Sequence, residues 1–146
     1  GDHSLLDVGC AKGFMLKDFA EAIPGLAVSG IDVSEYAVEN AVEGMEDHLQ
    51  VADARELPFE DDSFDLVVSI NTLHNFDRSG VVTALSEVQR VSRKWSFVVL
   101  DAYRNEEDRR RIEAWNLTAL TVLSTEGWVK VFDEAGYEGD YYWFIP

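Results

Sequence analysis

Apolar positions along the chain alternate between two rhythms. Compact apolar runs stand at Leu5-Leu6-Asp7-Val8, Ala27 to Asp32, Leu49 to Ala52, Phe64 to Ile70 and Ser96 to Leu100, and each reads as a strand. The fourth is almost wholly apolar, so it predicts a strand covered on both faces. Between the runs, apolar residues recur three and four positions apart, which is helical spacing. Met15, Leu16, Phe19, Ala20 and Ile23 form one stripe, stopped by Pro24-Gly25. Val38, Ala41, Val42 and Met45 form a second behind a capping Ser34, with Glu35, Glu39, Glu43 and Asp47 as a solvated ladder. Val81, Leu85 and Val88 mark a third helix. Asn105 caps a long fourth one with Ile112, Trp115, Ala119, Leu120 and Leu123 inward and Glu106, Glu107 and Asp108 in its first turn. Thr125 begins a fifth, with Trp128, Val131, Phe132 and Ala135 inward and Gly136 as its stop. Asp140 to Ile145 reads as a last strand. This alternation predicts an α/β fold with a Rossmann-like, doubly wound, mainly parallel sheet and helices on both faces.

With 146 residues the chain reads as a single domain, 1–146. It starts without Met almost on top of its first strand, and after Gly136 there is room for one strand, so truncation at both ends is expected. The balance of 12 basic against 28 acidic residues repels phosphate backbones and anionic lipid, so neither nucleic acid nor membrane is an expected partner. One cysteine, Cys10, excludes a disulfide framework and a Cys-rich metal site, and points to a reducing, cytoplasmic compartment. No metal site is expected.

Open parallel sheets bind ligands at the carboxyl ends of their strands. The strands deliver Gly9, Asp32, Asp53, Asn71 and Asp101 there, all small or polar, each directly after an apolar run. The first turn, Gly9-Cys10-Ala11-Lys12-Gly13, has Gly-x-Ala-x-Gly spacing instead of the Gly-x-Gly-x-x-Gly of dinucleotide enzymes. A nucleoside without phosphate suits it better, which argues against a nicotinamide oxidoreductase. Asp32 follows Gly13 at about the distance expected of a carboxylate that holds a ribose diol.

Four segments in this order resemble class I S-adenosylmethionine-dependent methyltransferases with a methyltransferase type 11-like domain. They are Leu-Leu-Asp-Val-Gly-Cys-Ala-Lys-Gly (5–13), Gly-Ile-Asp-Val-Ser (30–34), Val-Ala-Asp-Ala (51–54) and Leu-Pro-Phe-Glu-Asp-Asp-Ser-Phe-Asp-Leu-Val-Val-Ser (57–69). The resemblance implies S-adenosyl-L-methionine as cofactor, a transferase activity and a small-molecule methyl acceptor. It implies that Asp7 and the Gly9 backbone face the methionine end of the cofactor. Asp32 would then take the ribose hydroxyls and Val33 would pack on the adenine. Asp53 would accept from the adenine amino group, with Ala54 supplying backbone. Cys10, Ala11 and Gly13 complete the first loop, Cys10 as a small buried filler. Asn71 closes the cofactor pocket or orients substrate. Ala11 stands where the family has its middle glycine, and the family sheet ends in an antiparallel hairpin that this sequence does not complete.

His74, just past the fourth strand, is either a general base for a hydroxyl or amine, or a histidine that shapes the cleft by hydrogen bonding. Tyr103 and Arg104 lie where an acceptor would enter. Arg104 either clamps an anionic group or pairs with Glu107 or another acid. Trp115, on a helical stripe, reads as core. Arg109 to Arg111 read as a solvated face paired with Glu106 and Glu107. Eight of the 17 aromatic residues fall in 115–146, which predicts a substrate wall, a homodimer contact or burial under further chain. A non-catalytic cofactor-binding module, or a partial domain that needs a partner, is the alternative to an enzyme.

Overall fold

The computed structural model describes residues 3–146. The strands are β1 (Ser4–Val8), β2 (Ala27–Asp32), β3 (Leu49–Val51), β4 (Phe64–Ile70), β5 (Ser92–Tyr103), β6 (Leu123–Ser124) and β7 (Asp140–Phe144). The helices are α1 (Phe14–Ala22), α2 (Glu35–Glu39), α3 (Arg78–Val91), α4 (Glu106–Trp115) and α5 (Thr125–Ala135), with a 3-10 turn at Leu73–Asn75. All strand pairs are parallel, in the order β3-β2-β1-β4-β5. The outer edge of β5 takes β7 along Phe97–Asp101 and then β6 at Ala102–Tyr103. Strand order reverses between β1 and β4, where the ligand crevice of such a sheet opens.

Period-two alternation sends the strands' apolar side chains to two cores. Leu5, Val28 and Leu49 meet Leu16 of α1 and Met45 on one face. Leu6, Val8, Ile31, Val67, Val98 and Leu100 meet α3 and α5 on the other. Caps follow the expected chemistry. Asp77 accepts from Gly80 N–H ahead of α3, Asn105 from Asp108 N–H ahead of α4, and Ser124 from Gly127 N–H ahead of α5.

Three expectations fail. The second helix ends at Asn40, whose backbone and side-chain N–H groups both return to the Tyr36 carbonyl. Val42 N–H then turns to Lys12 C=O, so the acidic ladder is not one helix face. The long fourth helix ends at Trp115, because Asn116 Oδ1 accepts from Thr118 and Ala119 N–H in an Asx turn. Trp115 is therefore half-exposed instead of core, and Leu117 is 95% exposed. Strand β5 begins earlier, at Ser92. Its polar start Ser92-Arg93-Lys94 hides it from a hydrophobicity pattern, but Arg93 donates to the buried Asp65 of β4 at 2.9 Å.

Arg90 joins α3 to the segment before β4. Its guanidinium donates to Phe59 O (2.7 Å), Leu57 O (3.1 Å), Asp61 and Glu87, while Glu87 also accepts from Leu57 N–H. Hydrogen bonds to charged groups are worth about 1.5–3 kcal/mol each and overlap within one network, so Arg90→Ala is expected to lose about 2–3 kcal/mol. Urea unfolding should show a lower midpoint at unchanged slope; an unchanged midpoint would show that the staple contributes nothing.

Candidate functional site

The loop after β1 is held open for a ligand by its own backbone. Gly9 (φ 88°) and Ala11 (φ 50°) are both left-handed, and Gly9 and Cys10 N–H both donate to Ile31 C=O at 2.9 Å. Asp32, at the tip of β2, completes the loop. Its Oδ2 accepts from Ala11 N–H and its Oδ1 from Ser34 N–H, each at 2.9 Å. A carboxylate has about four lone-pair sites, so two remain after these bonds. A cavity of about 210 Å³ lies against this loop, lined by Gly9, Ile31, Asp32, Val33, Ala54 and Phe76, with Thr72 and Asn75. It offers apolar walls and one anionic edge.

The electrostatics select the ligand's charge. Asp7 is buried, and desolvation followed by the charge of Asp32 pushes its carboxyl up from 3.8 to about 7. Burial, with Asp7 and Asp32 nearby, pushes the Cys10 thiol up to about 12, so Cys10 fills space and is no nucleophile. Two carboxylates beside the first loop repel a pyrophosphate and attract a cation. A nucleoside carrying a positive sulfur fits this donor set. Asp32 is the anionic edge of this cavity, with Ile31, Val33 and Phe76 among its apolar walls, while Asp7 is buried and lines neither this cavity nor the next.

Asp53 is not among the residues lining this cavity. Its carboxylate accepts from Arg55 Nη2 at 2.6 Å and Nε at 3.0 Å, and the Arg55 guanidinium sits 4.8 Å over the Phe76 ring. Asp53 thus braces the wall of the cleft through Arg55. Gly13 starts α1, and a side chain there would press on Leu49 and Met45.

A second cavity of about 350 Å³ adjoins the first. Asn71, His74 and Asp101 line it with Trp115, Asn116, Leu117, Thr118 and Phe144. The structure places Asn71 here, not in the nucleoside cleft, with φ 52° and its N–H on Val99 C=O. Tyr103 and Arg104 line neither cavity. Arg104 N–H and Nε both donate to the buried Asp108, at 3.1 and 2.9 Å, and Tyr103 lies 5.7 Å beneath the Arg109 guanidinium. Arg109 and Arg111 pair with Glu113 and Glu107 on a wet face. Asp101, Asn116 and Phe144 each carried a sequence signal: Asp101 directly follows an apolar run, Asn116 lies after the fifth strand where an acceptor would enter, and Phe144 belongs to the aromatic segment read as a possible substrate wall. A polar hollow of about 330 Å³ by Arg93, Lys94 and Glu138 lies toward the amino end of β5, away from the crevice. Among the described residues no group of three or more His, Cys, Asp or Glu could hold a metal, and no helix is long and apolar enough to cross a membrane.

The family described as "Methyltransferase domain" matches residues 5–95. The chain is 31% identical to the 27-O-demethylrifamycin SV methyltransferase of Amycolatopsis mediterranei over 94% of its own length and 54% of that protein's. It is 37% identical to the O-methyltransferase cnsE of Penicillium expansum over 68% of its length and 37% of that protein's. Among solved structures it superposes on the YcgJ protein of Bacillus subtilis with TM-score 0.74 and 25% identity, covering 92% of this chain and 61% of that one. The chain spans about half the length of the curated relatives it matches.

Proposed function

The chain belongs to the methyltransferase-domain family, and on that footing we propose that it transfers a methyl group from S-adenosyl-L-methionine to a small-molecule acceptor. The observation that carries this reading is the pair of neighbouring acids, Asp7 near the carboxyl end of β1 and Asp32 at the end of the adjacent β2, beside the crevice. They suit a cationic, unphosphorylated nucleoside. When bound, that cofactor supplies a methyl carbon on a leaving group that is already activated. The protein's part is to orient the acceptor in line with it, exclude water and take a proton where the acceptor carries one. The relatives named as methyltransferases of small molecules support the same class of acceptor.

Calorimetric titration with S-adenosylhomocysteine tests this. Wild-type protein is expected to bind at about micromolar. Asp32→Ala removes two charge-assisted acceptors for the ribose, worth about 3 kcal/mol together, and should weaken binding at least about a hundredfold. NADH should give no heat. Absence of nucleoside binding by folded wild-type protein would end the proposal. A second reading, a cofactor-binding unit that methylates only with a partner chain, rests on the fraction of its relatives' length that the chain spans. Turnover that appears only on adding the partner would select it.

A further inference from the structure

The two cavities share one partition. Segment 71–76 gives Thr72, Asn75 and Phe76 to the nucleoside cleft and Asn71 and His74 to the larger cavity, so the two cavities border one turn. The floor of the larger cavity has a defined donor and acceptor inventory. Asp101 is clamped through its backbone: its N–H donates to His74 Nδ1 at 3.4 Å and its C=O accepts from Trp128 Nε1 at 2.9 Å. Asp101 is 7% exposed, and its carboxyl makes no ion pair with Lys or Arg among the described residues. The carbonyl of His74 accepts from Leu120 and Thr121 N–H, which holds the ring in place. Because His74 Nδ1 is an acceptor, the neutral ring carries its hydrogen on Nε2 and donates there. Asp101 therefore brings an acceptor and His74 a donor to a cavity whose lining also includes the Asn71 amide.

The walls differ in kind. Trp115 and Phe144 meet edge to face at 6.1 Å, each nearly half-exposed, and Leu117 stands almost wholly in solvent at the mouth. These rings and side chains are unburied apolar surface around a polar floor, the usual composition of a small-molecule site. A hydroxyl matches the floor, since it has one hydrogen to give and lone pairs to receive. A carboxylate or phosphate meets Asp101 and a net charge of −16.

We propose that this cavity is the acceptor site and that it takes an apolar, ring-bearing alcohol or phenol whose hydroxyl bridges Asp101 and His74, with Asp101 as the proton acceptor. The inference rests on the methyltransferase reading. As the acceptor oxygen forms its bond to the methyl carbon, the carbon–sulfur bond breaks with its pair going to sulfur, and the hydroxyl proton passes to the Asp101 carboxylate. Product is the methyl ether, the neutral thioether and protonated Asp101. Burial holds the Asp101 carboxyl above and His74 below their usual ranges, which suits a carboxylate base beside a neutral imidazole. The base expected at His74 thus moves to Asp101, and His74 orients the oxygen.

The probes are 2-naphthol and naphthalene, titrated calorimetrically into protein saturated with S-adenosylhomocysteine. Wild type should bind 2-naphthol at least about tenfold more tightly than naphthalene, the worth of one well-placed hydrogen bond. Asp101→Leu, which keeps the volume and removes the acceptor, should erase that preference while the nucleoside still binds. Trp115→Ala, at a half-exposed position, should weaken both probes alike by about tenfold. Equal binding of the two probes to wild type, or a preference that survives Asp101→Leu, would overturn the inference while leaving the methyltransferase reading intact. Failure of wild type to bind the nucleoside at all would overturn both.

Discussion

Gly9→Ala is expected to lose about 3–4 kcal/mol of stability and, with it, measurable nucleoside binding. At φ 88° an L-residue pays roughly 1–2 kcal/mol for the left-handed backbone. The added Cβ would also fall within the van der Waals envelope of the Thr72 side chain, whose hydroxyl is fixed on Ile70 C=O at 3.1 Å. Overpacking of this kind costs about 1–3 kcal/mol more. Domains have only about 5–15 kcal/mol to lose, so the variant should unfold at a markedly lower urea concentration. Thr72→Gly on the Gly9→Ala background should recover the steric part and leave the backbone part, a coupling that a double-mutant cycle reads directly. A Gly9→Ala protein of wild-type stability would mean that β1 and the 71–76 turn do not approach as closely as described.

Asp7 predicts the second large effect, and its sign runs against the common acid-denaturation pattern. A carboxyl raised in the fold is favoured as the acid, so its contribution is fully present below its ordinary value of 3.8 and is lost as pH rises to about 7. That span corresponds to about 4 kcal/mol. Asp7→Asn removes the penalty, so the unliganded variant should melt above the wild type at pH 8, with the advantage gone at pH 4. S-adenosylmethionine binding should move the other way. The sulfonium favours the ionised carboxyl, so wild-type affinity falls as pH drops below about 7, and Asp7→Asn should bind at least about tenfold more weakly at pH 8. Parallel melting curves for the two proteins across pH 4–8 would show that Asp7 titrates normally.

The frame of the site was legible because its signals are local. A run of apolar residues that ends on Gly9 or Asp32 announces a strand tip, and parallel strands place all such tips along one edge. The same logic explains what escaped. Periodicity reports which way a residue faces only while the element continues. Asn40 and Asn116 end their helices by side-chain and backbone hydrogen bonds that compete with the helix, and nothing in the apolar stripe marks the stop. Trp115 kept its helical phase and still came to line a cavity, since the residues that would have covered it turn away at Asn116.

Partner choice among polar side chains was the other blind spot. Asp53 had the position of an adenine ligand, yet Arg55, two residues on, takes its carboxylate. For Arg104 the sequence left a clamp and an acid partner open, and the structure gives it an acid partner, Asp108. Composition and spacing were enough to establish the mainly parallel sheet and the set of small or polar residues that follow its strands, because backbone geometry and hydrophobic alternation are short-range; the strand order that opens the crevice between β1 and β4 came only with the fold. The second cavity, the tautomer of His74 and the isolation of Asp101 depend on contacts between residues 27 or more positions apart, and such contacts exist only once the strands have been brought side by side.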